Sequence, residues 1–317
     1  MTVDTAGARM GGAARFASEL DRYLNRTGRD DVRVIGGAHR VGPAWLLRRE
    51  MSRPRRGRFV ALNNIGFVTP AGERWTLLRN ALHFLTDSEQ FRLEPHLRRA
   101  AGRDAAVVRM AARRSDVLVT PCTAMARRVS RILPGLSGRV VVRPHPVSAD
   151  AIPDLPRDQA ILCPVLFAPY KRMGVRLAEL LAAMDSLGEP SVRLWITADR
   201  GEVPGEVASH PRAELMGRLG HHDLRQAWGR CRAVYFPTGI ESFGYPLAEA
   251  RASGRPVIAL DTEQNREIGG PALRGFLPGD AASLRTAVES ALNGHVPADP
   301  GPFDPDAYFA WLLGAPQ

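Results

Sequence analysis

The residues most able to do chemistry stand in one stretch, Val234-Tyr-Phe-Pro-Thr-Gly-Ile-Glu241-Ser-Phe-Gly244-Tyr-Pro246-Leu-Ala-Glu249-Ala-Arg-Ala-Ser-Gly254-Arg-Pro-Val-Ile-Ala. It reads as a strand, a glycine-bearing loop, a helix opened by Pro246 in its first turn, a glycine stop at Gly254 and a second strand. Such a loop suits a phosphate, because unpaired N–H groups and the positive end of the helix dipole both face the anion. Glu241 lies in the loop and Glu249 on the helix, a placement that does not make them the facing acid and base of a hydrolase. One carboxylate falls instead on each side of the anion site, where each can accept hydrogen bonds from hydroxyl groups.

The elements that must hold this stretch alternate between β-rich apolar runs and amphipathic runs, the pattern of βα units around mostly parallel sheets. In the first half the spacing predicts strands at Val32 to Ile35, Arg58 to Leu62, Trp75 to Leu78, Asp116 to Val119 and Arg139 to Arg143. Helical spacing covers Ala13 to Tyr23 and Arg98 to Arg113, and only Met1 to Val3 are left for a first strand. Pro144-His145-Pro146 and the prolines Pro153 and Pro156 then break both helix and central strand. This places a domain boundary at residues 148/149, giving an N-terminal domain of residues 1–148 and a C-terminal domain of residues 149–317.

The second half restarts the alternation, with strands at Ala160 to Leu166, Val192 to Thr197, Ala233 to Phe236 and Pro256 to Leu260. Helices are expected at Gly174 to Leu187, His222 to Gly229, Pro246 to Ala252 and Ala281 to Leu292, and a short one at Asp306 to Leu313 packs back across one domain. The fold class is α/β, two similar halves with mostly parallel sheets.

Composition narrows the function. A chain of 317 residues with 44% hydrophobic and 24% charged residues is globular, and its longest apolar runs fall short of a membrane span. Its start has neither the basic nor the apolar region of an export signal, so the reading is cytoplasmic. Cys122, Cys163 and Cys231 are odd in number and far apart, which supports neither a disulfide framework nor a zinc site and reads as small apolar residues on or beside strands. The net charge of +10 comes from 43 basic residues of which only Lys171 is a lysine, a ratio that points to coding bias and away from nucleic acid. Only Arg48 to Arg58 is dense, and with Pro54 and Gly57 it reads as a basic loop, solvated or in peripheral contact with an anionic surface.

Glu241-Ser-Phe-Gly-x-Pro-Leu-x-Glu249-Ala followed by Ala-Ser-Gly-x-Pro-Val closely resembles the donor-site motif of retaining glycosyltransferase family four, whose members have the GT-B fold, two Rossmann-like domains facing across a cleft. Gly11-Gly12 before the helix at Ala13 resembles the family's N-terminal glycine loop. Ala168-Pro169-Tyr170-Lys171-Arg172 resembles the loop carrying its diphosphate lysine, and Gly220 with Asp223-Leu224 matches the turn before the next helix. The resemblance spans most of the chain and implies a hexosyl- or related glycosyltransferase acting with retention. Its implied co-substrate is a nucleotide diphosphate sugar, its acceptor a hydroxyl group, and by the resemblance it needs no metal or other cofactor.

By the same resemblance Glu249 binds the nucleotide ribose, Glu241 contacts hydroxyls of the donor sugar, and the amides of Ser242, Phe243 and Gly244 meet the distal phosphate and sugar. Lys171, with Arg172 beside it, neutralises the charge that grows on the leaving diphosphate. The family usually carries an arginine five or six residues before its lysine, where this chain has Val165 and Leu166. His83 occupies a position where the family often places a histidine beside the transferred sugar; a packed or capping histidine is the competing reading. Asn63 and Asn64 end another strand at the same sheet edge, as acceptor-pocket residues or as a turn. His145 between two prolines reads as a hinge, and His221-His222 as a helix start. Three rivals remain: a non-catalytic sugar-nucleotide-binding protein, a GT-B sugar-nucleotide epimerase and an arginine-rich nucleic-acid binder.

Overall fold

The computed structural model describes residues 1–37, 39–51, 56–69, 72–91, 93–148, 152–153, 155–164 and 171–314. By its contacts the chain forms two units. The first holds Met1–Pro146, Glu241–Phe243 and the residues from Phe303 on; the second holds Val147–Ile240 and Gly244–Pro302.

In the first unit the order is β1 (Thr2–Asp4), α1 (Gly11–Thr27), β2 (Arg33–Ile35), α2 (Pro43–Met51), β3 (Arg58–Ala61), β4 (Glu73–Leu77), α3 (Asp87–Phe91), α4 (Pro95–Ala112), β5 (Val117–Thr120), α5 (Thr123–Ile132) and β6 (Val140–Val142). The strands form one parallel sheet in the order β2-β1-β3-β4-β5-β6. Short as it is, β1 is fully engaged, with partners on both sides. Helix α1 buries Phe16, Leu20 and Tyr23, spaced to share one face, and ends on Gly28 in the left-handed conformation with its N–H on the Leu24 carbonyl.

The second unit runs β7 (Ala160–Cys163), α6 (Met173–Asp185), β8 (Arg193–Ile196), α7 (Gly205–Ala208), β9 (Ala213–Leu215), α8 (His221–Arg230), β10 (Ala233–Phe236), α9 (Tyr245–Ala252), β11 (Val257–Leu260), α10 (Glu263–Gly269), β12 (Leu273–Phe276) and α11 (Ala281–Asn293). Its sheet is also parallel, in the order β12-β11-β10-β7-β8-β9. Every residue of β7, β10 and β11 is buried, as strands covered by helices on both faces must be. The edge strands β9 and β12, which the sequence pattern does not show, are half exposed and carry Glu214 and Arg274.

A last helix, α12 (Pro305–Leu313), belongs to the first unit, where Phe309 meets the rings of Phe16 at 5.5 Å and Tyr23 at 5.4 Å. Its terminal carbonyls are satisfied by arginines: Arg58 Nη1 donates to the Leu312 oxygen at 3.1 Å and Arg29 Nη1 to the Gly314 oxygen at 2.9 Å.

The Arg48 to Arg58 segment is not one solvated loop. Arg49 lies on α2 and is 1% exposed; its Nη1 donates to the Asp4 carboxylate at 2.7 Å, its Nη2 to the Gly66 carbonyl at 2.6 Å, and its guanidinium covers the Phe67 ring at 4.4 Å. Arg58 begins β3, pairs with Glu73 at 2.7 Å and lies over Trp75. Arg48 and Arg56 are exposed, while Arg53 and Arg55 lie outside the described residues. The difference follows the partners: Arg49 meets a buried carboxylate and is buried with it, whereas Arg58 meets the exposed Glu73 at the surface.

His145, between its two prolines, is packed into the protein. It is buried, its ring set against Phe16 at 5.2 Å and Phe243 at 5.0 Å. Burial, and secondarily the Arg79 guanidinium, hold its pKa well below the ordinary value of 6.5, so it is neutral at neutral pH.

Two outcomes are expected. Arg49→Leu leaves the Asp4 carboxylate buried without its cation and should lower stability by about 3–5 kcal/mol in urea unfolding, whereas Arg48→Leu should cost less than about 1 kcal/mol. A histidine whose folded pKa is depressed favours the folded state above its unfolded value of 6.5, and that contribution is lost as pH falls further. The Tm of the native chain should therefore drop between about pH 7 and pH 5, and His145→Phe should flatten that drop; parallel curves for the two would refute it.

Candidate functional site

Numbered within the second unit, the strands of its sheet run 3-2-1-4-5-6, so the strand order reverses between β7 and β10. Ligands of open α/β sheets bind beyond the carboxyl ends of the strands at such a reversal, because there the two following connections diverge to opposite faces. Ala233 pairs with Ile161 and Val234 with Leu162, so the chain leaves Cys163 and Phe236 side by side. From Cys163 it leads to Lys171 and α6; from Phe236 it leads to Gly244 and α9. These are the two segments singled out by the sequence.

Lys171 is half-buried. Burial pushes the Cys163 thiol at the end of β7 up to about 12, and the Lys171 ammonium acts in the opposite sense. Arg172, exposed, caps α6 in the left-handed conformation at φ 51°, a backbone state that non-glycine residues rarely adopt. Ala168, Pro169 and Tyr170 of the expected diphosphate loop, and Val165 and Leu166, lie outside the described residues.

Gly244 precedes α9 at φ 80°. A Cβ there would come within 2.9 Å of Leu247 Cδ1 and 3.0 Å of Phe236 Cε1, so conformation and space both require glycine. Glu249 is half-buried in the second turn of α9. Two buried polar residues near these strand ends were not singled out by the sequence. Thr238 follows β10 and its Oγ1 has no partner among the described residues. Asn265 on α10 donates Nδ2 to the Leu260 carbonyl at 2.8 Å while its Oδ1 has no described partner. The spacing from the helix cap Thr262 to Asn265 was the one signal for them, and it reads equally as ordinary capping.

In the first unit the strand order reverses between β1 and β3. The glycines expected before a helix are its first turn: Gly11 has φ 57° and Met10 is the N-cap. The asparagines are largely committed to the protein. Asn63 Nδ2 donates to Asp4 at 2.8 Å, and Asn64, at φ 68°, accepts the Arg79 amide on Oδ1 at 2.6 Å. Their side chains build the turn, which weakens the acceptor-pocket reading.

His83 sits in a 3-10 turn, Ala81–Phe84, capped by Asn80, whose Oδ1 accepts the Leu82 amide at 3.0 Å. It is buried, and burial lowers its pKa to about 4; the Arg109 guanidinium acts in the same sense and Asp104 opposes. The ring is therefore neutral at neutral pH and able to accept or donate one hydrogen bond. Its Nδ1 has no partner among the described residues.

Glu241, Ser242 and Phe243 group with this unit. Ser242 Oγ donates to the Arg79 carbonyl at 2.5 Å, and the Cys122 thiol donates to the Ser242 carbonyl at 3.2 Å. The Arg79 backbone thus ties together Asn64 and Ser242, a link that sequence separation concealed. The Phe243 ring is buried against His145 and Phe303. Among the described residues no group of three His, Cys, Asp or Glu side chains is placed to hold a metal ion, and His221 and His222 open α8. The cysteines are free and buried, and no described helix is long and apolar enough to cross a membrane.

Residues 165–294 match the family model of glycosyl transferases group 1. No curated protein sequence matches the chain. Several solved structures share its fold. Sucrose-phosphate synthase (tll1590) from Thermosynechococcus elongatus aligns with a TM-score of 0.64 at 15% identity over 92% of this chain and 89% of its own. Alr3699/HepE from Anabaena, in complex with UDP and glucose, aligns at 0.64 and 14% identity over 98% and 94%. WaaG, a glycosyltransferase involved in lipopolysaccharide biosynthesis, aligns at 0.66 and 13% identity over 93% and 91%. Two Rossmann-like parallel sheets of the GT-B type are therefore the fold of this chain, and the match to the group 1 model falls within its second half.

Proposed function

We propose that the chain transfers a sugar from a nucleotide diphosphate sugar to an acceptor hydroxyl with retention of anomeric configuration. The observation that carries this reading lies in the second unit, most of which matches the group 1 model. There the reversal of strand order sets the ends of β7 and β10 side by side, and these ends lead to Lys171 and to the glycine-opened start of α9. The complex of the similarly folded HepE with UDP and glucose supports a nucleotide diphosphate sugar as donor.

In this proposal Lys171, aided by Arg172, balances the charge that develops on the departing diphosphate, and the loop amides of Ser242, Phe243 and Gly244 share that load. Glu249 receives the ribose hydroxyls and Glu241 the hydroxyls of the sugar. No enzyme carboxylate attacks the anomeric carbon: the acceptor enters on the face from which the diphosphate leaves, and a phosphate oxygen takes its proton. His83, neutral by virtue of its burial, positions the transferred sugar through a hydrogen bond. Gly11 and Gly12, at the amino end of α1, leave room for the donor without a side chain. The protein's contribution is alignment and charge stabilisation, with no metal required.

The test is donor turnover. Nucleotide diphosphate sugars, starting with UDP-glucose, are screened by thermal shift and then by mass spectrometry of donor consumption, with the product anomer read by NMR. Glu249→Ala and Lys171→Ala should each cut turnover by at least about a hundredfold, with far-UV circular dichroism unchanged. Unaltered rates in both variants would overturn the site, and donor binding without consumption would favour the non-catalytic reading.

A further inference from the structure

The charge of the chain is not evenly shared. The first unit holds 27 arginines against 15 acidic residues, while the second holds 16 basic and 18 acidic residues, so the whole excess of +10 resides in the first. Large exposed apolar side chains follow the same division: among the described residues ten of twelve belong to the first unit, leaving only Val175 and Leu277 in the second. Cationic and apolar exposure in one unit is not the balance expected of an ordinary solvated surface.

The two properties coincide on α4. Its inner face buries Ala105, Val108, Ala111 and Ala112. On its outer face Arg99 and Arg103, and just past its end Arg113 and Arg114, are all exposed, and none forms an ion pair with a described residue. Between them stand Val107 and Met110, 41% and 61% exposed. At 3.6 residues per turn Arg99, Arg103, Val107 and Met110 fall in an arc of about 80° along a helix about 27 Å long, and Arg113, its C-cap, and Arg114 follow at its carboxyl end. Asp104, the one acid within the helix, lies outside that arc. At its amino end the outermost of the large exposed side chains, Phe91 at 78%, is held by Arg98, which donates to its carbonyl at 3.2 Å and covers its ring.

We infer that α4, with Phe91, is the face by which the first unit lies on an anionic bilayer surface. Unpaired guanidinium groups meet lipid phosphates, and Phe91, Val107 and Met110 enter the boundary between headgroups and acyl chains. The apolar residues decide for lipid over nucleic acid, because a phosphate backbone offers aliphatic side chains nothing to bury against. The inference does not depend on the proposed transfer reaction.

Co-sedimentation of the full chain with vesicles tests it. The chain should pellet with phosphatidylcholine vesicles containing phosphatidylglycerol, and not with phosphatidylcholine alone. Replacing Arg99, Arg103, Arg113 and Arg114 by Gln should weaken that binding at least roughly tenfold. Phe91→Ser with Met110→Ser, which leaves the charge unchanged, should weaken it several-fold; thermal melts of both variants, exposed as these positions are, should match the native chain. Binding that survives both sets of changes would overturn the inference. So would vesicle binding insensitive to Phe91 and Met110 and abolished by competing duplex DNA, which would assign a polyanion surface. A concentration-dependent dimer lost on changing Met110, with no vesicle binding, would overturn it in favour of self-association.

Discussion

A parallel sheet obliges each connection to cross over and return in the same sense, so every loop leaving the carboxyl end of a strand emerges at the same edge. In the second unit this constraint acts on β7 and β10, whose residues are all buried. The one hydroxyl within them, that of Tyr235, is spent on the Arg176 carbonyl at 2.9 Å, and chemistry is left to the loops at their carboxyl ends. The segment between Cys163 and Lys171 and the segment between Phe236 and Gly244 are separated by about seventy residues in the chain, yet start from paired strands. Gly244 is then forced by two neighbours at once: Leu247 from its own helix and Phe236 from the strand leave no room for a Cβ. The opening of α9 is shaped as much by packing from below as by any requirement of a ligand above.

The first unit meets the same constraint with a polar solution. Asp4 ends a strand of only three residues, and its buried carboxylate gathers Arg49, Asn63, Trp45 and the Ala6 amide. Taking such a pair out of water is costly, and it is tolerated only when further hydrogen bonds complete the shell. Here they do, for the Asp4 carboxylate and for two of the three Arg49 nitrogens; Arg49 Nε has no described partner. Such a network fixes relative position better than an apolar contact of equal area, because each hydrogen bond has a direction. Its members come from the end of β1, from α2 and from the turn after β3, so the network sets the edge of the sheet where Gly11, Asn63 and Asn64 lie.

These two cases separate the legible parts of the sequence from the hidden ones. The run Ala233 to Phe236 is buried throughout and reads as a strand with its observed limits, and Ala281 to Leu292 reads as α11 within one residue, while Ala13 to Tyr23 lies inside α1, which starts two residues earlier and runs four further. Helix α2 escapes a reading of periodicity because its pattern is inverted: the residue it buries is Arg49, while Leu47 and Met51 face outward. Strand β9 escapes it because an edge strand of three residues carrying Glu214 has no apolar run to show. His145 defeats local reading altogether. Its two prolines are neighbours in the chain, but the rings that bury it, Phe16 and Phe243, lie about a hundred residues or more away on either side. Asn64 is half legible, since adjacent asparagines suggest a turn and φ 68° confirms one; its bond to the Arg79 amide has no local signal.

The motif around Ser242 shows how spent side chains and unspent backbone can serve one site. A serine in a phosphate loop is commonly thought of through its hydroxyl, but this hydroxyl is given to the Arg79 carbonyl, and the residue's own carbonyl takes the Cys122 thiol. Phe243 adds a ring buried against His145. Three independent anchors on two consecutive residues hold the peptide plane, while among the described residues the amides of Ser242 and Gly244 donate to no acceptor. In the proposed donor site a loop so anchored, with the Ser242 and Gly244 amides unsatisfied, would bind an anion with little reordering. The same anchoring explains why the residue types matter even where they make no contact with a ligand: a hydroxyl, a thiol and a ring are each consumed in holding still the N–H groups beside them.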